Sequence, residues 1–238
     1  MKLNQLLVLA GGFGTRLKSV LNGTPKPLAK IGNEKFLFFF IKNWERQGIN
    51  KFTFLLHYNA EMIIRYIRDN HQTKFSSKSQ FEFIIEDKPL GTGGAVYNAI
   101  LKNNIKDNFL LSNCDTWIGD CLNKFQSQPY PAIGLIYLDN RDRYGSVKIK
   151  DNFIVEFKEK DISNKKSYIN AGIYYLNPSD FIYMERGCFS LETCFLPNLC
   201  RKQKVSPVFL KTDFIDIGVP SDYLKFIHWL ENGKKGLL

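Results

Sequence analysis

The sequence predicts an α/β fold: a Rossmann-like, doubly wound sheet that is mixed but mainly parallel, with helices on both faces and a small β-rich part. Short apolar runs alternate with amphipathic windows through the first half of the 238 residues. In the second half, strands of alternating polarity and a hairpin signal replace that pattern. No linker rich in proline or serine separates the halves, so we predict one domain, 1–238, with halves at 1–130 and 131–238.

The first half is predicted to alternate strands with helices. The predicted strands are QLLVLA (5–10), KFTFLLH (51–57), FEFIIE (81–86) and NFLLSN (108–113). The predicted helices are FLFFFIKNWERQG (36–48), AEMIIRYIRD (60–69) and TGGAVYNAILKN (92–103). In the second of these helices, the spacing typical of a core-facing stripe is shown by Met62, Ile63, Tyr66 and Ile67. Strands joined by amphipathic helices form βαβ units, which give a parallel sheet covered on both faces.

The second half is predicted to be mixed. Two single strands are expected in PAIGLIYL (131–138) and SYINAGIYYLN (167–177). Between them, SVKIKDNFIVEFKEK (146–160) predicts two strands joined by a tight turn at Asp151 and Asn152. Pro220 precedes a predicted final helix, because the missing N–H of proline costs little where a helix starts.

Composition limits the classes of partner. Lysine and arginine outnumber the acids 33 to 23, and the net charge of +10 favours phosphate-bearing partners: nucleic acid, nucleotides or anionic lipid. The five cysteines form no CxxC pair and their number is odd, so we expect no disulfide framework or zinc site, and a cytoplasmic location. No run approaches the ~20 apolar residues of a membrane span, so we expect no membrane insertion.

A glycine-rich segment follows the first predicted strand. Gly11, Gly12 and Gly14 permit close backbone approach, so the N–H groups of this loop can face phosphate oxygens. Arg16 adds a bidentate donor and Lys26 a point charge, which together suit a triphosphate. The loop fits neither the P-loop pattern nor the dinucleotide fingerprint. Taken alone, it fits a tight connection equally well.

Eight motifs in order resemble those of the sugar-1-phosphate nucleotidyltransferases. The first comprises LAGGFGTRL (9–17) together with the following PKPL (25–28). The others are EDKPLGTGGA (86–95), NCDTW (113–117), RYGSV (143–147), VEFKEK (155–160), INAGIYYLN (169–177), SLETCFLPNL (190–199) and FIDIGVPSDY (214–223). The resemblance implies the nucleotide-diphospho-sugar transferase fold, with nucleotide bound by 1–130 and sugar by 131–238. It also implies transfer of a nucleoside monophosphate from an NTP to a sugar 1-phosphate, with release of pyrophosphate.

The resemblance also implies site residues. Those expected to bind the nucleotide are Leu9, Ala10, Gly11, Gly12, Gly14, Thr15, Glu86, Gly91 and Thr92. The cationic catalytic residues are Arg16, Lys26 and Lys160. The residues expected around the sugar phosphate are Gly145, Glu159, Asn170 and Glu192.

Two aspartates are the predicted metal ligands. Asp115 and Asp216 each follow or end an apolar run, and in the resembling family these positions hold Mg²⁺ between the two phosphates. Mg²⁺ is usually held by one or two carboxylates together with substrate phosphates. A sugar 1-phosphate is already anionic, so it needs no general base, and neutralising the repulsion between two anions is the main task. Without the family match, an aspartate at a strand end would be a turn or helix cap.

Glu86 is the residue from which we predict the nucleobase of the NTP. An ionised carboxylate only accepts hydrogen bonds, and guanine offers two adjacent donors, so Glu86 favours GTP over UTP or dTTP. The motifs are most similar to those of D-glycero-alpha-D-manno-heptose 1-phosphate guanylyltransferases, which act in bacterial surface-polysaccharide synthesis. Relatives that use mannose, glucosamine or N-acetylmuramate 1-phosphates share the same framework and stay open.

Two other classes of function remain at this point. The charge would also suit a non-catalytic binder of nucleic acid or a phosphate polymer, although no nucleic-acid module or dense basic tract is present, so we expect no nucleic-acid partner. A regulatory homologue without activity would not need both the cations and the aspartates.

Cys114 precedes the first aspartate where the family usually has glycine, and a buried thiol is its expected role. Three phenylalanines at 38–40 fit a core or an interface between copies, so a homo-oligomer stays open.

Overall fold

The computed structural model describes residues 3–17, 21, 23–139, 144–158 and 166–232. Its strands are β1 (Gln5–Leu9), β2 (Lys30–Ile31), β3 (Glu34–Lys35), β4 (Lys51–Leu56), β5 (Gln80–Ile85), β6 (Phe109–Asn113), β7 (Thr116–Ile118), β8 (Ala132–Leu138), β9 (Ser146–Lys150), β10 (Phe153–Lys158), β11 (Ser167–Leu176), β12 (Ser206–Leu210) and β13 (Phe214–Asp216). Its α-helices are α1 (Phe36–Gln47), α2 (Ala60–Lys74), α3 (Gly91–Lys102), α4 (Leu122–Gln126), α5 (Leu196–Lys202) and α6 (Pro220–Glu231). Short 3₁₀ turns and one π-helical turn cover Thr15–Leu17, Lys26–Leu28, Pro178–Phe181 and Leu191–Phe195.

The chain forms two compact units, each assembled from three separate segments. The first unit comprises Asn4–Lys88, Ser112–Asp120 and Asp213–Leu238. The second unit comprises Met1–Leu3, Pro89–Leu111 and Cys121–Thr212. Because the segments interleave along the chain, neither unit corresponds to a continuous half of the sequence. The division of function at residue 130 stays a prediction.

The first unit contains the parallel strand order β1, β4, β5. Strand β4 pairs with β1 on one side and with β5 on the other, and both pairings are parallel. The strands are apolar because they are covered: Leu6, Leu7 and Val8 are fully buried. Helices α1 and α2 provide the connections, and α1 ends at Gly48 in the left-handed conformation (φ 107°). This is the βαβ pattern that the first half of the sequence predicts.

The same unit ends with α6, which completes an aromatic core. Strand β13 pairs antiparallel with β7, and α6 follows β13 directly. The ring of Phe226 lies 5.0 Å from that of Phe36 and 5.5 Å from that of Trp117. All three side chains are buried. Helix α6 therefore packs in the same aromatic core as α1 and β7. The predicted start of this helix at Pro220 is confirmed.

The second unit holds the mixed β structure. Strand β8 pairs antiparallel with β11 and parallel with β12. The hairpin of β9 and β10 turns at Asp151 and Asn152, whose φ values of 50° and 64° are those of a two-residue hairpin turn with both central residues at positive φ. The predicted hairpin is confirmed, and its turn chemistry is that of short Asp and Asn side chains that tolerate this conformation.

One detail of the predicted core is wrong. Helix α2 buries Ile63 and Ile67 completely, but Met62 is 43% exposed. Met62 lies at the edge of the apolar stripe, where the helix surface turns toward solvent, and a single exposed apolar side chain is ordinary. In the part of the chain that the structure describes, no helix has both the length and the apolar character needed to span a bilayer.

Candidate active site

The glycine-rich loop leaves β1 at the carboxyl edge of the parallel strands, where ligands bind in open α/β sheets. Leu9 ends the strand, and the N–H of Ala10 donates to the carbonyl oxygen of Leu55 at 3.0 Å, which continues the pairing by one residue. At Gly11 an added Cβ would lie 3.1 Å from the backbone nitrogen of His57. A side chain at this position would force the neighbouring backbone to shift by a few tenths of an ångström, because the contact is tighter than most Cβ atoms make, and glycine avoids that shift.

Beyond that approach the loop opens to solvent. Gly12, Thr15 and Arg16 are exposed, while Gly14 begins a 3₁₀ turn in which the Leu17 N–H donates to its carbonyl oxygen at 3.0 Å. Leu17 is fully buried and anchors the turn. Among the described residues, Arg16 has no hydrogen-bond or ion-pair partner. Arg16 is exposed, so an anion from solvent can reach its guanidinium.

Lys26 and Asp115 form an ion pair. The Lys26 Nζ lies 2.7 Å from Asp115 Oδ2, and the two side chains are 15% and 27% exposed. Lys26 opens a 3₁₀ turn between two prolines, Pro25 and Pro27, and both prolines are buried or nearly so at the base of the turn. The fixed φ of proline limits where the lysine can point. The PKPL motif therefore presents one cation to the first aspartate.

The two predicted metal-binding aspartates lie at the ends of a strand pair: Asp115 immediately precedes β7, and Asp216 ends β13. In the register of β7 and β13, Asp216 lies opposite Thr116, and the N–H of Ile217 donates to the carbonyl oxygen of Asp115 at 2.9 Å. The Asp216 Oδ1 accepts the N–H of Gly218 at 2.8 Å. Both aspartates are half-buried. The structure thus places the backbones of two aspartates that are far apart in sequence next to each other.

This donor set fits a magnesium ion that is shared with substrate. The available ligands are carboxylate oxygens, the type Mg²⁺ prefers, and each aspartate keeps exposed surface. Over the described residues, there is no group of three or more His, Cys, Asp or Glu side chains arranged to hold a metal. One or two protein carboxylates are enough for an Mg²⁺ site that is completed by substrate phosphates and water.

Cys114 is a core thiol, as its sequence context predicts. It is 1% exposed, and its N–H donates to the Leu9 carbonyl oxygen at 3.0 Å. Burial raises the pKa of the Cys114 thiol well above its ordinary value, and the negative charge of Asp115 raises it further. The thiolate needed for nucleophilic attack is therefore not formed near neutral pH.

Glu86 comes directly after β5, on the same edge as the glycine-rich loop. Its N–H donates to the Leu56 carbonyl oxygen at 2.9 Å, and its side chain belongs to a residue only 8% exposed. The Glu86 carbonyl oxygen is 3.0 Å from His57 Nδ1. Acidic side chains are seldom buried, so a buried carboxylate at this edge of the sheet is a candidate ligand-binding group.

Three residues of this edge were not assigned a role from sequence. They are Phe13 in the loop and the pair His57 and Tyr58 that follows β4. The Phe13 ring packs against both, with centroids 5.7 Å from His57 and 5.4 Å from Tyr58. The position of His57 and Tyr58 at the carboxyl end of a parallel strand was the available signal, since that is the same criterion that selects Glu86.

In the second unit, Thr92 and Glu192 are joined. The Thr92 hydroxyl donates to Glu192 Oε2 at 2.8 Å and accepts the N–H of Leu191 at 2.8 Å. The hydroxyl of Ser190 also donates to Glu192 Oε2, at 3.1 Å. Gly91 is the first residue of α3, one residue earlier than the sequence predicts. A residue predicted for the nucleotide and one predicted for the sugar are therefore hydrogen-bonded to each other.

The other predicted sugar residues have separate places. Asn170 on β11 donates through Nδ2 to the Tyr174 hydroxyl at 2.8 Å and accepts the Gly172 N–H at 3.0 Å. Burial, and then the charge of Glu192, raises the pKa of Tyr174, so this hydroxyl stays protonated. Gly145 immediately precedes β9 and is half-buried. Glu159 and Lys160 lie outside the described residues, and the roles given to all these residues stay predictions.

The fold and this arrangement define a nucleotidyltransferase. The family described as Nucleotidyl transferase matches residues 5–233, and the chain belongs to it. Among curated proteins, it is 34% identical to D-glycero-alpha-D-manno-heptose 1-phosphate guanylyltransferase of Campylobacter jejuni over 94% of this chain and 98% of that protein. It is 32% identical to the protein of the same name from Aneurinibacillus thermoaerophilus, over 93% and 96% of the two chains.

A solved structure agrees with these relatives. The crystal structure of HddC from Yersinia pseudotuberculosis superposes with a TM-score of 0.83 and 34% identity, covering 96% of this chain and 100% of that one. The same protein has been solved in complex with GMP-PN, with the same TM-score. The mixed, mainly parallel sheet with helices that the sequence predicts is confirmed as the fold of this family.

Proposed function

We propose that the protein transfers GMP from GTP to D-glycero-alpha-D-manno-heptose 1-phosphate, releases pyrophosphate and forms a nucleotide-sugar for surface-polysaccharide synthesis. One observation carries the proposal: the similarity to enzymes named for this reaction runs over nearly the full length of both chains, 94% of this one and 98% of the relative. Five cysteines without a disulfide are consistent with work in the reducing cytoplasm, as proposed here.

The choice of GTP rests on Glu86. Its carboxylate would accept hydrogen bonds from the N1–H and the amino group of guanine, and a buried position makes such bonds selective. Uracil and thymine present one donor between two acceptors on the corresponding edge, so a carboxylate would oppose one of their oxygens. The complex of the HddC relative with GMP-PN supports a guanine nucleotide.

The cations would neutralise the reacting phosphates. We assign Arg16 and Lys26 to the triphosphate and the developing pyrophosphate, and Lys160 to the sugar phosphate. Arg16 is exposed in the glycine-rich loop, and Lys26 is held by Asp115 at 2.7 Å. The attacking oxygen of a sugar 1-phosphate is already anionic, so alignment and charge compensation supply the catalysis without a general base.

Asp115 and Asp216 would hold Mg²⁺. A bound Mg²⁺ would offset the negative charge of the substrate phosphates. The hydrogen bond from Ile217 to the Asp115 carbonyl oxygen, at 2.9 Å, keeps the two carboxylate-bearing strands in register. These residues fit the ion as a shared site rather than as a closed cage.

The sugar is the less constrained substrate. We assign Gly145, Glu159, Asn170 and Glu192 to the sugar phosphate, because carboxylates and amides can bind sugar hydroxyls. The mannose-1-phosphate guanyltransferase of Aspergillus oryzae is 29% identical over 92% of this chain, so mannose 1-phosphate is a second candidate. Glucosamine and N-acetylmuramate 1-phosphates are the remaining ones.

The test is a matrix of nucleotides against sugar 1-phosphates, read by pyrophosphate release with and without Mg²⁺. We expect GTP with the heptose phosphate to be the best pair and chelation to abolish turnover. A preference for UTP or dTTP would contradict the role of Glu86, and a preference for another sugar would contradict the substrate assignment.

A second experiment tests the alternative that the protein is a non-catalytic binder of nucleic acid or another phosphate polymer. If the protein retards a polynucleotide at physiological salt while releasing no pyrophosphate from any pair, it is a binder of phosphate polymers and the proposed reaction is wrong.

A further inference from the structure

We propose that His57 is a positioning residue that fixes Glu86 relative to the glycine-rich loop and thereby sets the selectivity for the nucleobase. The inference deepens the proposed function and rests on it. His57 touches neither of the proposed metal ligands, and we give it no proton-transfer role.

His57 makes a directed bond to the backbone of Glu86. Its Nδ1 lies 3.0 Å from the Glu86 carbonyl oxygen. A carbonyl oxygen only accepts, so this bond requires the proton to be on Nδ1. Beyond this bond and its ring contact with Phe13, His57 has no further partner among the described residues. The ring can therefore be replaced without breaking a second hydrogen bond.

The other side of His57 supports the loop. The Phe13 ring meets the His57 ring edge-on, with centroids 5.7 Å apart and planes at 83°. A Cβ added at Gly11 would lie 3.1 Å from the backbone nitrogen of His57, and the Tyr58 N–H donates to the Gly11 carbonyl oxygen at 3.4 Å. One residue thus contacts both the loop proposed to bind phosphates and the backbone of the residue proposed to read the base.

The consequence for selectivity follows from geometry. The carboxylate of Glu86 and its own carbonyl group share one Cα, so a movement of the backbone moves the carboxylate. A hydrogen bond weakens steeply when its distance or angle departs from the optimum. Fixing the carbonyl while the loop fixes the phosphates therefore fixes the distance at which a base is recognised.

The chain contains a matched control in His71. Its Nε2 is 3.0 Å from the Ser79 carbonyl oxygen, and its ring meets Phe81 edge-on at 5.0 Å and 86°. It is half-buried like His57 and lies in the same unit. His71 lies in the last turn of α2. Its partner Ser79 immediately precedes β5 and Phe81 lies near the start of β5, at the opposite end of that strand from Glu86. Replacing His71 removes the same kinds of contact without touching Glu86 or the loop.

The experiment measures the kinetics of three variants with GTP and with ITP. The base of ITP lacks the amino group from which Glu86 would accept a hydrogen bond. His57→Phe keeps an aromatic ring but removes the donor, and His57→Asn keeps a donor amide near the position of Nδ1. His71→Phe is the control. We expect His57→Phe to raise the KM for GTP about tenfold and to lower the GTP-over-ITP ratio of kcat/KM by a similar factor, the effect of one lost hydrogen bond. His57→Asn should restore both to within about threefold.

Thermal stability distinguishes a positioning role of His57 from a general loss of folded structure. Both phenylalanine variants lose one hydrogen bond of the same geometry, so their Tm values should fall by a similar few degrees. The proposal is overturned if His57→Phe and His71→Phe give the same KM and the same GTP-over-ITP ratio. It is equally overturned if KM rises while the ratio stays unchanged, since His57 would then affect the nucleotide site without affecting base choice.

Failure of the proposed function gives a different result. If the wild-type protein prefers another NTP, the base assignment is wrong already in the wild type. The three variants are then compared with that NTP and with an analogue of it that lacks one hydrogen-bonding group of the base, and only a change in both the KM and the ratio of kcat/KM that is specific to His57→Phe would identify the positioning role.

Discussion

At the scale of single residues, the contact between Lys26 and Asp115 is the centre of the proposed chemistry. The pair is short, at 2.7 Å, and mostly shielded from water. A cation held beside a carboxylate at this place can serve two partners, the aspartate before substrate binds and a phosphate afterwards. Preorganised charges of this kind act where negative charge develops in the transition state, and their loss affects the rate more than the stability.

We expect Lys26→Met and Asp115→Asn each to lower kcat/KM about 100-fold or more, the cost of removing one preorganised charge. The measurement is pyrophosphate release under saturating Mg²⁺. Lys74→Met is the control, because Lys74 pairs with Glu34 at 2.8 Å with side chains that are 32% and 28% exposed.

The control variant should retain activity and lose less than about 1 kcal/mol of stability, as partly exposed ion pairs do. If Lys26→Met and Lys74→Met have the same activity, the ion pair with Asp115 is structural and the catalytic role of Lys26 is wrong.

At the scale of elements, the start of α3 is built around close approach. The N–H groups of Gly93 and Gly94 both donate to the Phe189 carbonyl oxygen, at 3.0 and 3.2 Å. A Cβ added at Gly94 would clash with the Gly187 carbonyl oxygen, because the two atoms would lie closer than the sum of their van der Waals radii. The clash is with backbone, which cannot rotate away. The glycines of the LGTGGA motif therefore have a packing role in addition to any contact with nucleotide.

We expect Gly94→Ala to destabilise the protein by about 1–3 kcal/mol, because overpacking against backbone forces the chain to shift. Urea denaturation measures it. Asn98→Ala, in the same helix and half-buried, is the control and should change stability by about 0.5 kcal/mol or less.

The opposite result has a clear meaning. At an unhindered helical position, replacing glycine with alanine stabilises by roughly 1 kcal/mol. A higher urea midpoint for Gly94→Ala would therefore show that the contact with Gly187 is not tight in solution.

At the scale of the whole molecule, the first unit depends on the end of the chain. Its core includes Phe226 of α6, fully buried against Phe36 and Trp117. Truncating one buried phenylalanine to alanine costs about 3–5 kcal/mol, a large share of the 5–15 kcal/mol by which a typical domain is stable. A continuous piece that ends before α6 lacks this contribution.

We therefore expect the fragment 1–130 to show no cooperative thermal transition, while the full chain does. Circular dichroism in the near ultraviolet, followed with temperature, measures this. A sharp transition in the fragment would mean that the first half folds alone and that α6 is dispensable.

Two substitutions in the full chain check the same reasoning. Phe226→Ala should cost about 3–5 kcal/mol, whereas Leu224→Ala on the same helix should be nearly neutral, because Leu224 is 54% exposed.

Much of this could be predicted from the sequence. The strands and helices of the first half, the turn at Asp151 and Asn152, and the start of α6 all follow from local patterns, because alternation, helical spacing, and turn residues are properties of neighbouring positions. The residue types of the site could also be predicted, since phosphates require cations and glycines, and a magnesium ion requires carboxylates. Local patterns placed Met62 in the core, where it does not lie, because a stripe has an edge that spacing alone does not locate.

Only the tertiary structure decided which of these residues meet. The register of β7 with β13 brings Asp115 beside Asp216, and the end of β4 places His57 between Gly11 and Glu86. These contacts join segments that are distant in the chain, and their geometry depends on how strands pair and helices pack around them. A hydrogen bond requires positions accurate to a few tenths of an ångström, and a local sequence pattern specifies only which face of an element a side chain occupies.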